Sequence, residues 1–246
     1  MPIAAGNSFV TFGPAHLAAM AVTVVLAAAL PAWARRAGES KAVRGVGVAL
    51  GLILVTNELV YYAHGLATVS LGDFVRDKLP LHVCDVAVYL IAWTLWKRNG
   101  RLFEVAYFWG LGGTLQAVLT PNILEGFPSY EFIRFFINHC GIVVAVLYAV
   151  LALRMRPRKG CVLRLIVITN LYMLFVAGVN RLVGSNYMFL CKPPAGQSPF
   201  FFLPWPWYIV FIELVGVAFV VLLYLPFAVG DRIRRRKAAA LSRSSV

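Results

Sequence analysis

The feature that most constrains this chain is a series of apolar runs, each about as long as a membrane is thick. Seven runs meet or approach the roughly 20 residues that a spanning helix needs: 14–34, 43–64, 80–96, 102–120, 131–153, 161–183 and 205–229. Only 13% of the 246 residues are charged, against about 25% in a soluble domain. We therefore predict an all-α polytopic membrane protein: a bundle of seven transmembrane helices in one domain over 1–230, followed by a basic tail over 231–246.

Basic residues between the runs predict how the helices are oriented. Of the 23 Lys and Arg residues, 18 lie on one side of the predicted membrane. Because basic residues stay on the cytoplasmic side, the N-terminus is predicted outside and the C-terminus inside, in a multi-pass protein of the plasma membrane. The net charge of +13 is thus a signal of topology. Without a basic stripe carrying interleaved aromatics, we predict no nucleic-acid partner.

Residues 79–85, Leu-Pro-Leu-His-Val-Cys-Asp, concentrate reactive side chains at the outer end of the third run. Ionisable groups are costly in lipid, so they are functional candidates by default. His82 and Asp85 are three residues apart, so the Asp85 carboxylate can orient the imidazole. Cys84 lies about 100° round the helix from Asp85 and can face a different neighbour.

Most other polar residues of the apolar runs also fall near the outer ends of their helices. With a rise of ~1.5 Å per residue, His139 lies about 12 Å inside the fifth run. The inner halves are nearly bare, apart from Asn170 and Glu104. We therefore predict a polar pocket that opens outward or toward the outer leaflet. Its predicted substrate-binding residues are Arg181, Arg134, Asn138, Asn57, Asn180 and Glu213.

Cysteine and histidine at one level of the membrane indicate nucleophilic chemistry on lipids, either acyl transfer or hydrolysis. A thiol attacks a carbonyl when a base lies beside it, and we predict Cys84 as the nucleophile and His139 as the base, supported by His82 and Asp85. Acyl transfer also needs donors for the oxyanion, which Asn138, Arg134 or Arg181 can supply. The two arginines can alternatively hold a phosphate or extend toward lipid headgroups.

Other interpretations of the same residues stay open. A buried cysteine is often a small hydrophobic residue beside a structural histidine. A metal could be held by His and carboxylate side chains, drawn from His82, Asp85, His139, His64 and Glu58. No metal-binding spacing such as HExxH is present, so we predict neither metal nor cofactor.

Two non-enzymatic functions compete with catalysis. The first is a transporter or lipid-binding protein, which the lack of a visible inverted repeat disfavours. The second is a structural partner within a membrane complex. The oligomeric state is left open by the sequence.

Several motifs together resemble the YwaF-like family of bacterial integral membrane proteins, almost from end to end. They are LPLHVCD (79–85), FFINH (135–139), TNLYM (169–173), GSNY (184–187) with KP (192–193), and PWPWY (204–208). More distantly, the chain is similar to the family of a vertebrate multispanning phospholipid acyltransferase, transmembrane protein one-six-four, which uses a cysteine and a histidine. This resemblance implies acyl transfer between membrane phospholipids, and it carries over His139 and His82. The cysteine of that family directly precedes the first histidine, where this chain has Leu81, and Cys84 lies one turn later.

Overall fold

The computed structural model describes residues 8–194 and 200–244, and the secondary structure of these residues is helical apart from one isolated bridge between Ser8 and Glu125. A single turn of 3₁₀ helix, Tyr187–Phe189, lies between the last two α-helices. The α-helices are α1 (Pro14–Ala37), α2 (Lys41–Thr68), α3 (Leu71–Asp77), α4 (Val83–Lys97), α5 (Gly100–Gly112), α6 (Thr114–Leu119), α7 (Tyr130–Leu151), α8 (Cys161–Val183) and α9 (Trp207–Ser244).

Six helical segments of the described chain are long and apolar enough to cross a membrane. They are α1, α2, the consecutive helices α5 and α6, α7, α8 and α9. The third predicted run forms α4, whose 15 residues rise only about 22 Å, less than the roughly 30 Å of a hydrocarbon core. The structure thus confirms an all-α, multi-pass membrane protein and has six helices of spanning length where the sequence predicted seven.

Helix α4 is nevertheless the centre of the bundle, because it packs against α2, α5 and α7. The side chains of Ala87, Val88 and Ile91 have no exposed surface. Helix α2 approaches α4 closely at Gly51, where an added Cβ would lie 3.0 Å from the Cα of Ala92. Such close approach of small residues is typical of helices that pack within membranes.

Helix α1 packs on α7 and is tied to α6 by a buried histidine. The His16 ring donates from Nε2 to the Val118 carbonyl at 2.7 Å and accepts at Nδ1 from the Phe12 N–H at 2.9 Å. Both ring nitrogens are therefore used, and this histidine has a structural role.

The predicted basic tail continues the last helix. Residues 231–244 extend α9 without a break, and 245–246 lie outside the described residues. The apolar part of α9 exposes many of its large side chains, as expected of a helix that faces lipid. The division into a membrane domain and a tail stays a prediction.

Candidate functional site

Three of the predicted catalytic residues lie at the start of α4. His82 is the residue preceding the helix, and its backbone N–H donates to Oδ2 of Asp85 at 3.1 Å, which caps the first turn. The Cys84 thiol donates to Oδ1 of Asp85 at 3.6 Å. The Asp85 carboxylate therefore binds the main chain of His82 and the thiol of Cys84, rather than the His82 imidazole.

The His82 ring is held by the 3₁₀ turn that precedes α9. Its Nδ1 accepts from the Met188 N–H at 3.4 Å, and the ring lies 5.6 Å from both the Tyr187 and Phe189 rings. Since Nδ1 accepts, Nε2 is the protonated nitrogen of the neutral ring.

Two tyrosines hold the non-helical segment 78–82 that leads into α4. The Tyr187 hydroxyl donates to the Val75 carbonyl at 2.9 Å and accepts from the Leu79 N–H at 2.7 Å. The Tyr172 hydroxyl of α8 donates to the Leu81 carbonyl at 3.1 Å. The backbone just before His82 is thus positioned by residues more than ninety positions later in the chain.

A buried carboxyl–amide pair faces α4 from α2 and α7. Asn138 donates from Nδ2 to Oε1 of Glu58, and both side chains are almost fully buried. Glu58 lies within electrostatic range of Cys84 and Asp85. The pair therefore belongs to the same site as the start of α4.

Two buried polar atoms at this place, Nε of Arg134 and Oδ1 of Asn138, have no hydrogen-bond partner among the described residues, and the Tyr62 hydroxyl interacts with the Glu58 carboxyl group beside them. Buried polar groups are normally satisfied, so this concentration marks a place for water or a polar ligand. We call the group the polar cluster, and its members are Glu58, Tyr62, His82, Cys84, Asp85, Arg134, Asn138 and His139.

His139 has the protonation pattern of a general base. Its Nδ1 donates to the Phe135 carbonyl at 2.9 Å, and its ring stacks on that of Phe135 with centroids 4.0 Å apart. This leaves Nε2 as the nitrogen with the free lone pair. His139 interacts electrostatically with His82 and Arg134. The thiol of Cys84 donates to Asp85, so the predicted nucleophile and base share the cluster without a direct hydrogen bond.

Arg134 is the cation of the polar cluster. Its guanidinium lies 3.8 Å from the centroid of the Tyr61 ring and 3.4 Å from the Glu131 carboxylate. The Asn57 amide, predicted to bind substrate, donates instead to the Arg134 backbone carbonyl at 3.2 Å. Asn57 therefore ties α2 to α7 beside the cluster.

The other predicted substrate-binding residues have contacts outside the polar cluster. Asn180 accepts at Oδ1 from the Ser185 hydroxyl and the Tyr187 N–H, at 2.7 and 2.8 Å. It thereby positions the 3₁₀ turn that follows α8. Arg181 is exposed. Glu213 accepts from Nδ2 of Asn170 at 2.7 Å and joins α8 to α9.

In the described part of the chain, no three His, Cys, Asp or Glu side chains are grouped so that they could hold a metal ion. The ring of His64, one of the residues considered, packs in a tilted arrangement against the Tyr130 ring, with the centroids 4.9 Å apart. Sequence reasoning missed Tyr62 as a site residue. Its position four residues after Glu58 places both on one helical face, and this was the available signal.

Comparison with known proteins assigns the chain to a family. The model of the TMEM164 family matches residues 11–224, which include every member of the polar cluster. An uncharacterized protein of Treponema pallidum (strain Nichols) is 30% identical over 236 residues, which cover 89% of this chain and 90% of that protein. No solved structure matches. These findings support the TMEM164 part of the predicted resemblance and do not support the YwaF-like assignment.

Proposed function

Because this chain belongs to the TMEM164 family, we propose that it is an integral membrane enzyme that transfers acyl chains between phospholipids. The resemblance of its motifs to a vertebrate phospholipid acyltransferase that uses a cysteine and a histidine supports the reaction class. The observation that carries the proposal is the polar cluster, in which α2, α4 and α7 bring a thiol, two imidazoles, two carboxyl groups and a guanidinium together inside an apolar bundle.

In the proposed first step, Sγ of Cys84 attacks the ester carbonyl carbon of a donor phospholipid. The thiol proton passes to Nε2 of His139, the bond between the carbonyl carbon and the glycerol oxygen breaks, and His139 returns the proton to that oxygen. The products are a thioester on Cys84 and a lysophospholipid. In the second step, the hydroxyl of an acceptor lysophospholipid gives its proton to His139 and attacks the thioester, and the thiolate leaves and is reprotonated. Water in the acceptor's place would give hydrolysis.

The contacts within the polar cluster suggest a different supporting role for each of Asp85, Arg134 and Asn138. Asp85 holds the thiol in the resting state, and the mechanism requires Cys84 to turn from Asp85 toward His139, a change of side-chain rotamer. Nε of Arg134 is a buried donor without a partner, so it is the best placed group to stabilise an oxyanion. The Asn138 amide is already bonded to Glu58 and instead supports the site's framework.

The proposed topology has seven crossings, with α4 and the preceding segment 78–82 completing the third. Helix α4 is short for a bilayer, but it is surrounded by α2, α5 and α7, so its polar start is shielded from lipid. Seven crossings also keep 18 of the 23 basic residues on one side. With that side cytoplasmic, the N-terminus and the polar cluster face outward in the plasma membrane.

The bonding of the thiol supports a second candidate function. The Cys84 thiol donates to Asp85 and not to a base, while Nε of Arg134 and Oδ1 of Asn138 nearby lack partners. A lipid-binding or transport protein without covalent chemistry would use the same cluster to hold a polar headgroup.

Acyl transfer by purified protein in phosphatidylcholine vesicles with labelled lysophospholipid tests the enzyme. We expect label to move into diacyl lipid with wild type and with the control Cys140→Ala, which removes a neighbouring half-buried thiol. Cys84→Ala and His139→Ala should lose transfer. Full activity of Cys84→Ala would show that the nucleophile is another group. Absence of transfer by folded wild type, together with saturable binding of the lysophospholipid, would favour the second candidate.

A further inference from the structure

A second charged region lies at the end of the bundle opposite the polar cluster. The connection between α7 and α8 is held there by Glu104 of α5, which accepts from Nε of Arg158 at 2.7 Å and from Nη2 of Arg164 at 3.0 Å. Arg156 in the same connection donates to Oδ1 of Asp231 in α9 at 2.7 Å. Both carboxylates are therefore already neutralised, and the connection is fixed against α9.

A cavity of about 320 Å³ lies between this connection and α9. Its lining contains four cations and one carboxylate, and that carboxylate, Asp231, is the one paired with Arg156. None of the described ion pairs uses the four cations. The lining residues are Lys159, Tyr224, Ala228, Asp231, Arg232, Arg235 and Arg236. The cavity therefore presents an excess of positive charge to any ligand.

An apolar surface adjoins the cavity on α9. Leu225 and Val229 are about half exposed, and with Arg232 and Arg236 they follow the i, i+4, i+7, i+11 spacing of one helical face. This face of α9 is thus apolar at Leu225 and Val229, beside the cavity, and basic at Arg232 and Arg236, which line it. A ligand that fits this surface has hydrocarbon and an anionic group in the same molecule.

We propose that this cavity binds the phosphate group of an anionic phospholipid whose acyl chains lie along Leu225 and Val229 of α9. The phosphate matches the basic lining, and the exposed apolar residues distinguish a lipid headgroup from free phosphate. Most of the lining residues follow position 224, where the family match ends. The site is independent of acyl transfer at the polar cluster.

Binding of phosphatidylglycerol and of phosphatidylcholine with the same acyl chains to the full-length protein, measured by native mass spectrometry, tests the proposal. The test variant is Arg232→Gln with Arg235→Gln. The matched control is Arg234→Gln with Lys237→Gln, which removes the same charge from the same helix at positions that do not line the cavity. Inorganic phosphate and glycerol phosphate are added as competitors, to distinguish a lipid from a soluble phosphate.

We expect wild type and the control pair to retain phosphatidylglycerol in preference to phosphatidylcholine. The test pair should lose roughly tenfold or more in affinity for phosphatidylglycerol, since each basic residue near an anionic headgroup contributes substantially to binding. Equal losses of affinity in the test pair and the control pair would show that only general electrostatic attraction is at work, and would overturn the proposed site. Competition by inorganic phosphate at the concentration of the lipid would overturn the lipid assignment. Thermal unfolding of each pair in detergent confirms that the variants are folded.

Discussion

Glu58 is the residue whose role depends most clearly on tertiary contacts. A carboxyl group buried in an apolar helix either forms a hydrogen bond or carries a large desolvation penalty. The structure provides the partner in Asn138 of α7 and places Tyr62 one turn away on the same helix. Glu58 therefore holds α2 to α7 at the site and lies close enough to Cys84 and Asp85 to influence their charge.

Replacement of Asn138 tests this pairing. Asn138→Leu removes the donor to Oε1 of Glu58 and leaves that buried oxygen without a partner, so we expect the free energy of unfolding to fall by about 1–3 kcal/mol. Glu58→Gln keeps an acceptor for the same amide and should change stability by less. Both are measured by denaturant titration in detergent micelles. Equal stabilities of the two variants would show that the carboxyl–amide bond does not support the fold.

Tyr187 tests whether the segment before α4 must be held for activity. Tyr187→Phe removes the hydroxyl that bonds Leu79 and Val75, and we expect a loss of about 1–2 kcal/mol in stability together with reduced acyl transfer. Tyr107→Phe is the control, because it deletes a hydroxyl bonded to the Leu223 carbonyl at 3.0 Å, away from the polar cluster. It should lose stability without losing transfer. If Tyr187→Phe and Tyr107→Phe both lost acyl transfer, the loss would be explained by lower stability and not by the position of the segment before α4.

At the scale of elements, α4 depends on a close contact rather than on its own length. Its 15 residues cannot expose the His82–Asp85 turn to lipid without cost, so the surrounding helices have to cover it. Gly51 allows α2 to pack closely over α4, because the absence of a side chain lets α2 approach the backbone of Ala92.

A side chain at Gly51 should therefore push α4 away from α2. For Gly51→Val we expect a loss of about 1–3 kcal/mol from overpacking and a fall in activity as the start of α4 shifts from Glu58. Gly45→Val is the matched control on the same helix, since a Cβ there meets nothing within 4 Å. Unfolding and acyl transfer are compared for the two variants. Similar stabilities would indicate that α4 adjusts to the added side chain.

At the scale of the whole molecule, the number of crossings decides which end of the bundle meets the outside. Seven crossings place the polar cluster outward and the basic cavity in the cytoplasm, whereas six place the two termini on the same side. The chain carries a natural probe, because Cys191 is an exposed free cysteine in the connection between α8 and α9.

We expect a membrane-impermeant maleimide to label Cys191 in intact cells and to lose that label in Cys191→Ser. Introducing Glu39→Cys into the Cys191→Ser background should give a protein labelled only after permeabilisation, because position 39 lies in the basic connection between α1 and α2. Labelling of both positions in intact cells, or of Cys191 only after permeabilisation, would refute the proposed topology.

Much of the architecture was predictable because its causes are local. Apolar runs, basic clusters and proline-rich connections act over one helix at a time, so the bounds of α1, α2, α7 and α8 follow closely from the sequence. The same locality placed Cys84, Asp85, Asn138 and His139 toward corresponding ends of their helices. The third run was already short in the sequence, but the extended backbone at 78–82 could not be predicted, because tyrosines distant in sequence stabilise it.

The sequence by itself determined that this protein is a bundle of apolar helices, because charged side chains are costly in lipid and spanning segments must therefore be apolar. Only the tertiary structure decided which polar atoms meet. It made Asn57 and Asn180 structural ties, directed the Cys84 thiol to Asp85, and joined Glu58 to Asn138. Those pairings depend on the order and rotation of the helices in the bundle, which are set by packing between distant segments and leave no local pattern in the chain.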